Sequence, residues 1–159
     1  TRDHGMLDVF KFARSRFFPL FGLGRGKTAM VHGRDLAAAV LSLAVCGGKM
    51  PPGPFYPEDG SNLSWKELAV AFEEAMSLRI VKMPVPPFLF WAAAGIASAW
   101  GRVAGRPVLF SLDKVREMSC PSWECSHRAL RHATGWQPKV QLVDGLRETF
   151  MWYVKAGWL

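Results

Sequence analysis

Met30-Val31-His32-Gly33-Arg34-Asp35-Leu36-Ala37 is the stretch on which the reading of this chain turns. Residues Ala29 to His32 have the composition of a short strand, and Arg34-Asp35 stands immediately ahead of an apolar run, Leu36 to Val45, that ends at Gly47-Gly48. An acidic residue at the head of a periodic apolar segment and glycine just past its end are helix start and stop signals. The segment therefore reads as a strand feeding directly into a helix.

Working upstream, Asp3 is placed to cap a helix through about Ser15, on which Met6, Leu7, Phe10 and Ala13 share one face. Phe17 to Gly26 reads as an apolar, glycine-rich loop. Downstream, Lys49 to Pro54 is a proline-rich connection, and Phe55-Tyr56 reads as a brief strand ending in the turn Glu58-Asp59-Gly60. Ser64-Trp65-Lys66-Glu67 fits a capping box, in which the serine oxygen accepts the N3 amide and the glutamate reaches back to the cap. That helix should run to Met76. Arg79 to Met83 alternates as a strand does, and Pro84, Pro86 and Pro87 stop it and open the next helix.

Phe88 to Val103 is the most apolar stretch, without charge until Arg102. A membrane-spanning helix needs roughly 20 apolar residues, and the run from Val85 to Gly101 is shorter and holds two prolines and two glycines. It reads as a buried or interfacial helix. Ser111 to Met118 is a short helix, Ser126 caps another that ends at Gly135-Trp136, and Leu142 to Lys155 is a last amphipathic helix with Leu146, Phe150 and Tyr153 on one side.

With 159 residues, half of them apolar, the chain has the size of one ordinary domain and can bury a core. Its formal net charge of +7 raises nucleic acid or an anionic membrane as partners. Arg14, Arg16, Arg25 and Lys27 crowd near the beginning and Arg102 and Arg106 flank the apolar helix, while the other cations are scattered among acids. No basic stripe with interleaved stacking aromatics is present, so a nucleic-acid partner is not expected, and a noncatalytic interaction module in peripheral contact with a membrane through the Phe88 to Val103 helix stays open as an alternative. Cys46, Cys120 and Cys125 are too few and too uneven for a secreted disulfide framework, and no secretory signal is visible, which points to a reducing, cytoplasmic setting.

Three constellations invite chemistry. Gly22-Leu23-Gly24-Arg25-Gly26-Lys27-Thr28 looks like a phosphate loop, but three residues instead of four separate Gly22 from Gly26, and a strand is expected where a helix is needed. Cys120, Cys125, His127 and His132 include zinc-type donors, yet two histidines five apart on a helix sit about 140° around its axis. His32 can serve as a general base, because imidazole titrates near neutrality, or as a hydrogen-bonded structural residue beside Asp35. No Tyr-x-x-x-Lys, Gly-x-Gly-x-x-Gly or Gly-x-Ser-x-Gly motif occurs.

The order of motifs resembles one known family. Met30 to Ala37 resembles the Phe-Val-His-Val-x-Asp-Leu-Ala segment of extended short-chain dehydrogenases, and Phe55-Tyr56, Glu58-Asp59-Gly60 and Ser64 to Leu68 resemble that family's following strand, turn and helix. Leu112 to Arg116, Arg128-Ala129 before Gly135-Trp136-Gln137-Pro138, and Gly145 to Thr149 with Trp152-Tyr153 are similar to the end of its 3β-hydroxysteroid dehydrogenase-like, epimerase/dehydratase branch. The similarity spans nearly the whole chain and matches only the family's C-terminal half.

The resemblance implies an α/β fold: residues 1–159 form the C-terminal, substrate-binding part of a Rossmann-like enzyme, mainly helices with a few short strands, including the last strand–helix units of the nucleotide-binding sheet. It implies NAD or NADP in a longer parent, no cofactor for this portion alone, and its own N-terminal Rossmann half as partner. Catalytic and cofactor residues would lie upstream, leaving this portion inactive by itself, and self-association of a chain without its sheet partners stays open. A small-molecule substrate would meet a wall of Met6, Phe10, Phe18, Phe21, Phe88 and Trp91, with Arg2, Asp3 and His4 as polar fixtures at its mouth.

There are departures from the family pattern. Thr28 stands where nucleotide-sugar epimerases carry an arginine, which removes a cationic partner for phosphate and favours an apolar, sterol-like substrate. Gly33, Arg34 and Ser126 also differ, in ways that bear on helix capping more than on chemistry.

Overall fold

The computed structural model describes residues 4–20, 24, 26–47, 51–105, 111–120 and 122–159. In chain order these form α1 (His4–Arg14), β1 (Phe17–Leu20), β2 (Lys27–Thr28), α2 (Gly33–Val45), β3 (Leu63–Ser64), α3 (Trp65–Met76), β4 (Val81–Pro84), α4 (Pro87–Ala104), α5 (Leu112–Met118), β5 (Ser122–Trp123), α6 (Arg128–Thr134) and α7 (Leu142–Lys155). The result is a mixed α/β domain in which helices dominate. The Asp3 cap and Gly48 lie outside the described residues.

α3 shows how local signals become packing. Ser64 Oγ accepts the Glu67 amide at 3.2 Å, and the Glu67 carboxylate accepts the Ser64 amide at 2.8 Å, completing the capping box. Ser77 closes the helix in the left-handed region at φ 53°, with its amide turned back to the carbonyls of Glu73 and Glu74. Leu68, Ala69, Ala71, Phe72, Ala75 and Met76 are buried between those ends.

The main core forms where α3 meets α1, β1 and α7. Phe10 is wholly buried and packs edge-on to Phe72 (centroids 4.9 Å apart) and to Tyr153 (5.4 Å), while Phe18 approaches Phe72 at 5.7 Å. These are favoured aromatic geometries and join three helices and a strand through a few large side chains.

A smaller core of Ala39, Leu130 and Trp136 joins α2 to α6. It is held by polar bonds as much as by apolar contact. The buried Asp35 carboxylate accepts the amides of Lys139 (3.0 Å) and Val140 (2.8 Å), and the Trp136 indole donates to the Asp35 carbonyl at 3.2 Å. A buried charge is tolerated when hydrogen bonds satisfy it, as here.

The strands differ most from expectation. Residues 17–20, expected as loop, form β1, which runs parallel to β4 with Phe17 opposite Val81 and Leu20 opposite Pro84. Its register turns Phe18 and Leu20 inward, and Pro19, lacking an N–H, is accommodated at the edge of a two-stranded sheet. The strand expected at Ala29 to His32 sits two residues earlier, at Lys27–Thr28. It pairs antiparallel with β3 and parallel with β5, giving the order β3-β2-β5. Residues 29–32 keep single bonds instead: the Ala29 amide donates to the Trp123 carbonyl and the Met30 carbonyl accepts the Asp59 amide. Phe55-Tyr56 forms no strand.

α4 narrows another expectation. It begins with Pro87 at its first turn, as its sequence suggests, and ends at Gly105 in the left-handed region, but only Ala94 and Gly101 on it are buried. The buried alternative for this helix does not hold among the described residues. α6 starts one residue later than expected, with His127 at the cap position and Ser126 Oγ accepting the Arg128 amide at 3.3 Å.

Candidate functional site

An open groove of about 540 Å³ lies where the N-terminal end of α2, one face of α7 and the inner side of α1 converge. Met6 and Phe10 come from α1, where they share the buried face; Met30, His32, Arg34 and Leu36 come from the strand-like approach to α2 and its first turn. Leu142, Leu146, Thr149, Trp152 and Tyr153 line it from α7, the spacing of one face of a helix.

The approach of these walls depends on Gly145. A Cβ built there would stand 3.0 Å from Cδ2 of His32 and 3.2 Å from Cγ1 of Val140, so α7 lies against the 30–33 segment at a distance that an alanine would crowd. His32 is itself held in place: its Nδ1 accepts the Arg34 amide at 3.3 Å, which makes it the N-cap of α2.

The groove's charged groups face each other. The Arg34 guanidinium pairs with the Glu148 carboxylate across the gap between α2 and α7. Asp59 also lines the groove, with its Oδ1 accepting the Ser61 amide at 2.9 Å. Thr149 donates back to the Gly145 carbonyl at 2.8 Å within its helix. The lining is therefore a largely apolar wall with a few polar groups already engaged, the composition of a site for a mostly apolar small molecule.

Beside it, Glu58 is buried and its Oε1 accepts the His127 amide at 3.1 Å and meets His127 Nδ1 at 2.5 Å. Burial alone would raise this carboxyl's pKa, but the His127 amide and ring and the Gly60 amide outweigh it and hold the pKa below the ordinary carboxylate value. The Cys125 thiol is pushed up by burial and then by the nearby Glu58 charge, the reverse of what a reactive thiolate needs. Among the described residues, no three His, Cys, Asp or Glu side chains are grouped so as to hold a metal ion.

The residues singled out from sequence as a substrate wall part company here. Met6 lines the groove, and Phe10 lies beneath it in the core with none of its own surface exposed. Phe18 is buried against Phe72 in the core and is not among the lining residues. Phe88 and Trp91 lie exposed on α4, away from the groove. Arg2, Asp3 and Phe21 lie outside the described residues, as does the side chain of His4. Lys27, from the loop that mimics a phosphate cradle, is paired with Glu124 at 3.0 Å across the β2–β5 junction. The second wall, Leu142 to Trp152, was visible only as an amphipathic helix, because the same periodicity serves core and groove alike.

No family model matches the chain. It is 29% identical over 163 residues to the ceramide reductase of Caulobacter vibrioides (strain NA1000 / CB15N), covering 99% of this chain and 49% of that protein. The chain thus spans about half the length of the curated relative it matches. Among solved structures it is similar to the epimerase Mth375 of Methanothermobacter thermautotrophicus, with a TM-score of 0.61 at 15% identity over 94% of this chain and 37% of that one. It is likewise similar to gox2253, with a TM-score of 0.59 at 16% identity over 99% of this chain and 44% of the other. The two structural likenesses show that this chain shares the fold of the matched portions of Mth375 and gox2253.

Proposed function

We propose that this chain is the C-terminal, substrate-side portion of an NAD(P)-dependent oxidoreductase of the extended short-chain dehydrogenase type, and that its groove receives an apolar lipid bearing a carbonyl or hydroxyl group. The observation that carries the reading is the groove itself, an apolar cleft whose arginine, Arg34, is committed to Glu148. The ceramide reductase aligned along the whole chain makes a ceramide-like, long-chain lipid the substrate class to try first.

The groove does not fit a nicotinamide dinucleotide. A diphosphate needs backbone amides at a glycine-rich turn or uncommitted cations, whereas Glu148 and Asp59 present carboxylates here, and the sequence has no Gly-x-Gly-x-x-Gly turn. On this reading NAD or NADP and the acid/base residues belong to the other half of a longer protein, and no step of the reaction is assigned to this chain. The outer face of α2 suits that half as a partner surface. Val40, Leu41 and Val45 are all exposed on it, and no charged residue interrupts them.

Calorimetric titration of this chain with a short-chain, water-soluble ceramide, and separately with NADH and NADPH, tests the proposal. Ceramide should bind with a micromolar Kd, weakened about tenfold by Trp152→Glu or Leu36→Asp, both exposed lining residues. Nanomolar binding of either dinucleotide by this chain alone, or ceramide binding indifferent to both substitutions, would overturn it.

A further inference from the structure

α4 carries a second apolar surface that the groove does not use. At about 100° per residue, Phe88, Leu89, Ile96, Trp100 and Val103 fall within roughly a third of the helix circumference. All are exposed, Ile96 by 73%, Trp100 by 71% and Val103 by 84%. The helix is anchored by its opposite side, where Ala94 and Gly101 are buried and Ser98 Oγ accepts the Leu112 amide of α5 at 3.2 Å. The stripe therefore points away from the domain along the whole of an 18-residue helix.

Two features distinguish this face from the exposed side of α2, which is aliphatic. Its aromatic content includes an indole, and the other side chains of the stripe, Phe, Leu, Ile and Val, offer no acceptor for the Trp100 N–H. Pressed against a second α4, that donor would lose water without gaining a partner, whereas at a lipid headgroup layer it finds carbonyl, phosphate and water oxygens. The charge also fits. From residue 83 to residue 112 the sequence carries Arg102 and Arg106 and no acid, so the segment is cationic with nothing to repel an anionic surface. No helix among the described residues is long and apolar enough to cross a membrane, and an apolar stripe on a surface helix suits lying in the interface.

We propose that α4 docks lengthwise on the surface of an anionic lipid bilayer, with Phe88, Ile96, Trp100 and Val103 entering the headgroup–acyl boundary and Arg102 meeting lipid phosphates. This rests on α4 alone and is independent of what occupies the groove.

Vesicle co-sedimentation of this chain tests it, using phosphatidylcholine vesicles and vesicles with roughly one third phosphatidylserine. The chain should sediment with the anionic vesicles at low salt and about tenfold more weakly with the neutral ones, with a blue shift of tryptophan emission on binding. Ile96→Glu with Trp100→Glu should weaken binding at least about tenfold while leaving the circular-dichroism melt in place, because both positions are exposed. Arg102→Gln should reduce the preference for anionic vesicles. Absence of binding at low salt, or undiminished binding by the Glu variant, overturns the proposal. So does light scattering that shows a dimer dissociated by that variant without vesicle binding, since a second copy would then own the face. Loss of sedimentation in Trp152→Glu, a groove variant, would also overturn it by assigning membrane capture to the groove.

Discussion

α3 and α4 are both apolar helices opened by clear start signals, yet they end in opposite environments. α3 buries six of its 12 residues, whereas α4, longer and with Arg102 as its one charged residue, buries only Ala94 and Gly101. Apolar content therefore does not decide burial in this molecule; the availability of a complementary surface does. α3 is met by Phe10 and Leu7 from one side and by Leu146 and Tyr153 from another. α4 turns Ala94, Gly101 and the half-buried Phe90 toward the domain, and its other large side chains remain outside.

The largest effect that this contrast predicts is at Phe10, which is wholly buried among Phe72, Phe150 and Tyr153. Phe10→Ala should cost about 4 kcal/mol through lost transfer energy and the cavity left behind. Denaturant unfolding would show it, and a cost below about 1 kcal/mol would mean that the aromatic cluster does not bear the fold.

An intermediate effect is expected where burial is polar. Glu58 has its folded-state pKa depressed, so its stabilisation is fully present above the unfolded carboxylate value of about 4.3 and is lost as pH falls through the folded value. Glu58→Gln should cost about 1–2 kcal/mol at neutral pH and flatten the acid limb of a stability-versus-pH curve. An unchanged acid limb would show that the bonds to His127 and Gly60 contribute nothing to the ordering of the start of α6.

The smallest effect belongs to α4. Ile96→Ser should change stability by no more than about 0.5 kcal/mol, since the side chain is already 73% exposed. A loss of 2 kcal/mol in a thermal melt would break the contrast by revealing a packed partner for that face.

Most helices were legible because their signals are local. The Ser64–Glu67 box, the left-handed glycine at 135, and the periodicity of α1 and α7 each lie within one element. The strands were not. A two-residue strand such as Leu63–Ser64 exists only because Lys27–Thr28 lies beside it, and β1 becomes a strand only through its pairing with β4. The site was half legible for the same reason. Met6 and Phe10 could be grouped from α1, but nothing in residues 142–152 announces that they close the cleft against residues 30–36. The sequence also left α4 as a buried or interfacial helix, because an apolar period does not say whether its surroundings are protein.

The crowding at Gly145 has a consequence for evolution of the cleft. A single methyl there would have to push the His32 ring or the body of α7 aside by a few tenths of an ångström. Helix cap, Arg34–Glu148 bridge and cleft wall would then shift together, so one hydrogen in place of a side chain serves as the gauge of the spacing between α7 and the start of α2.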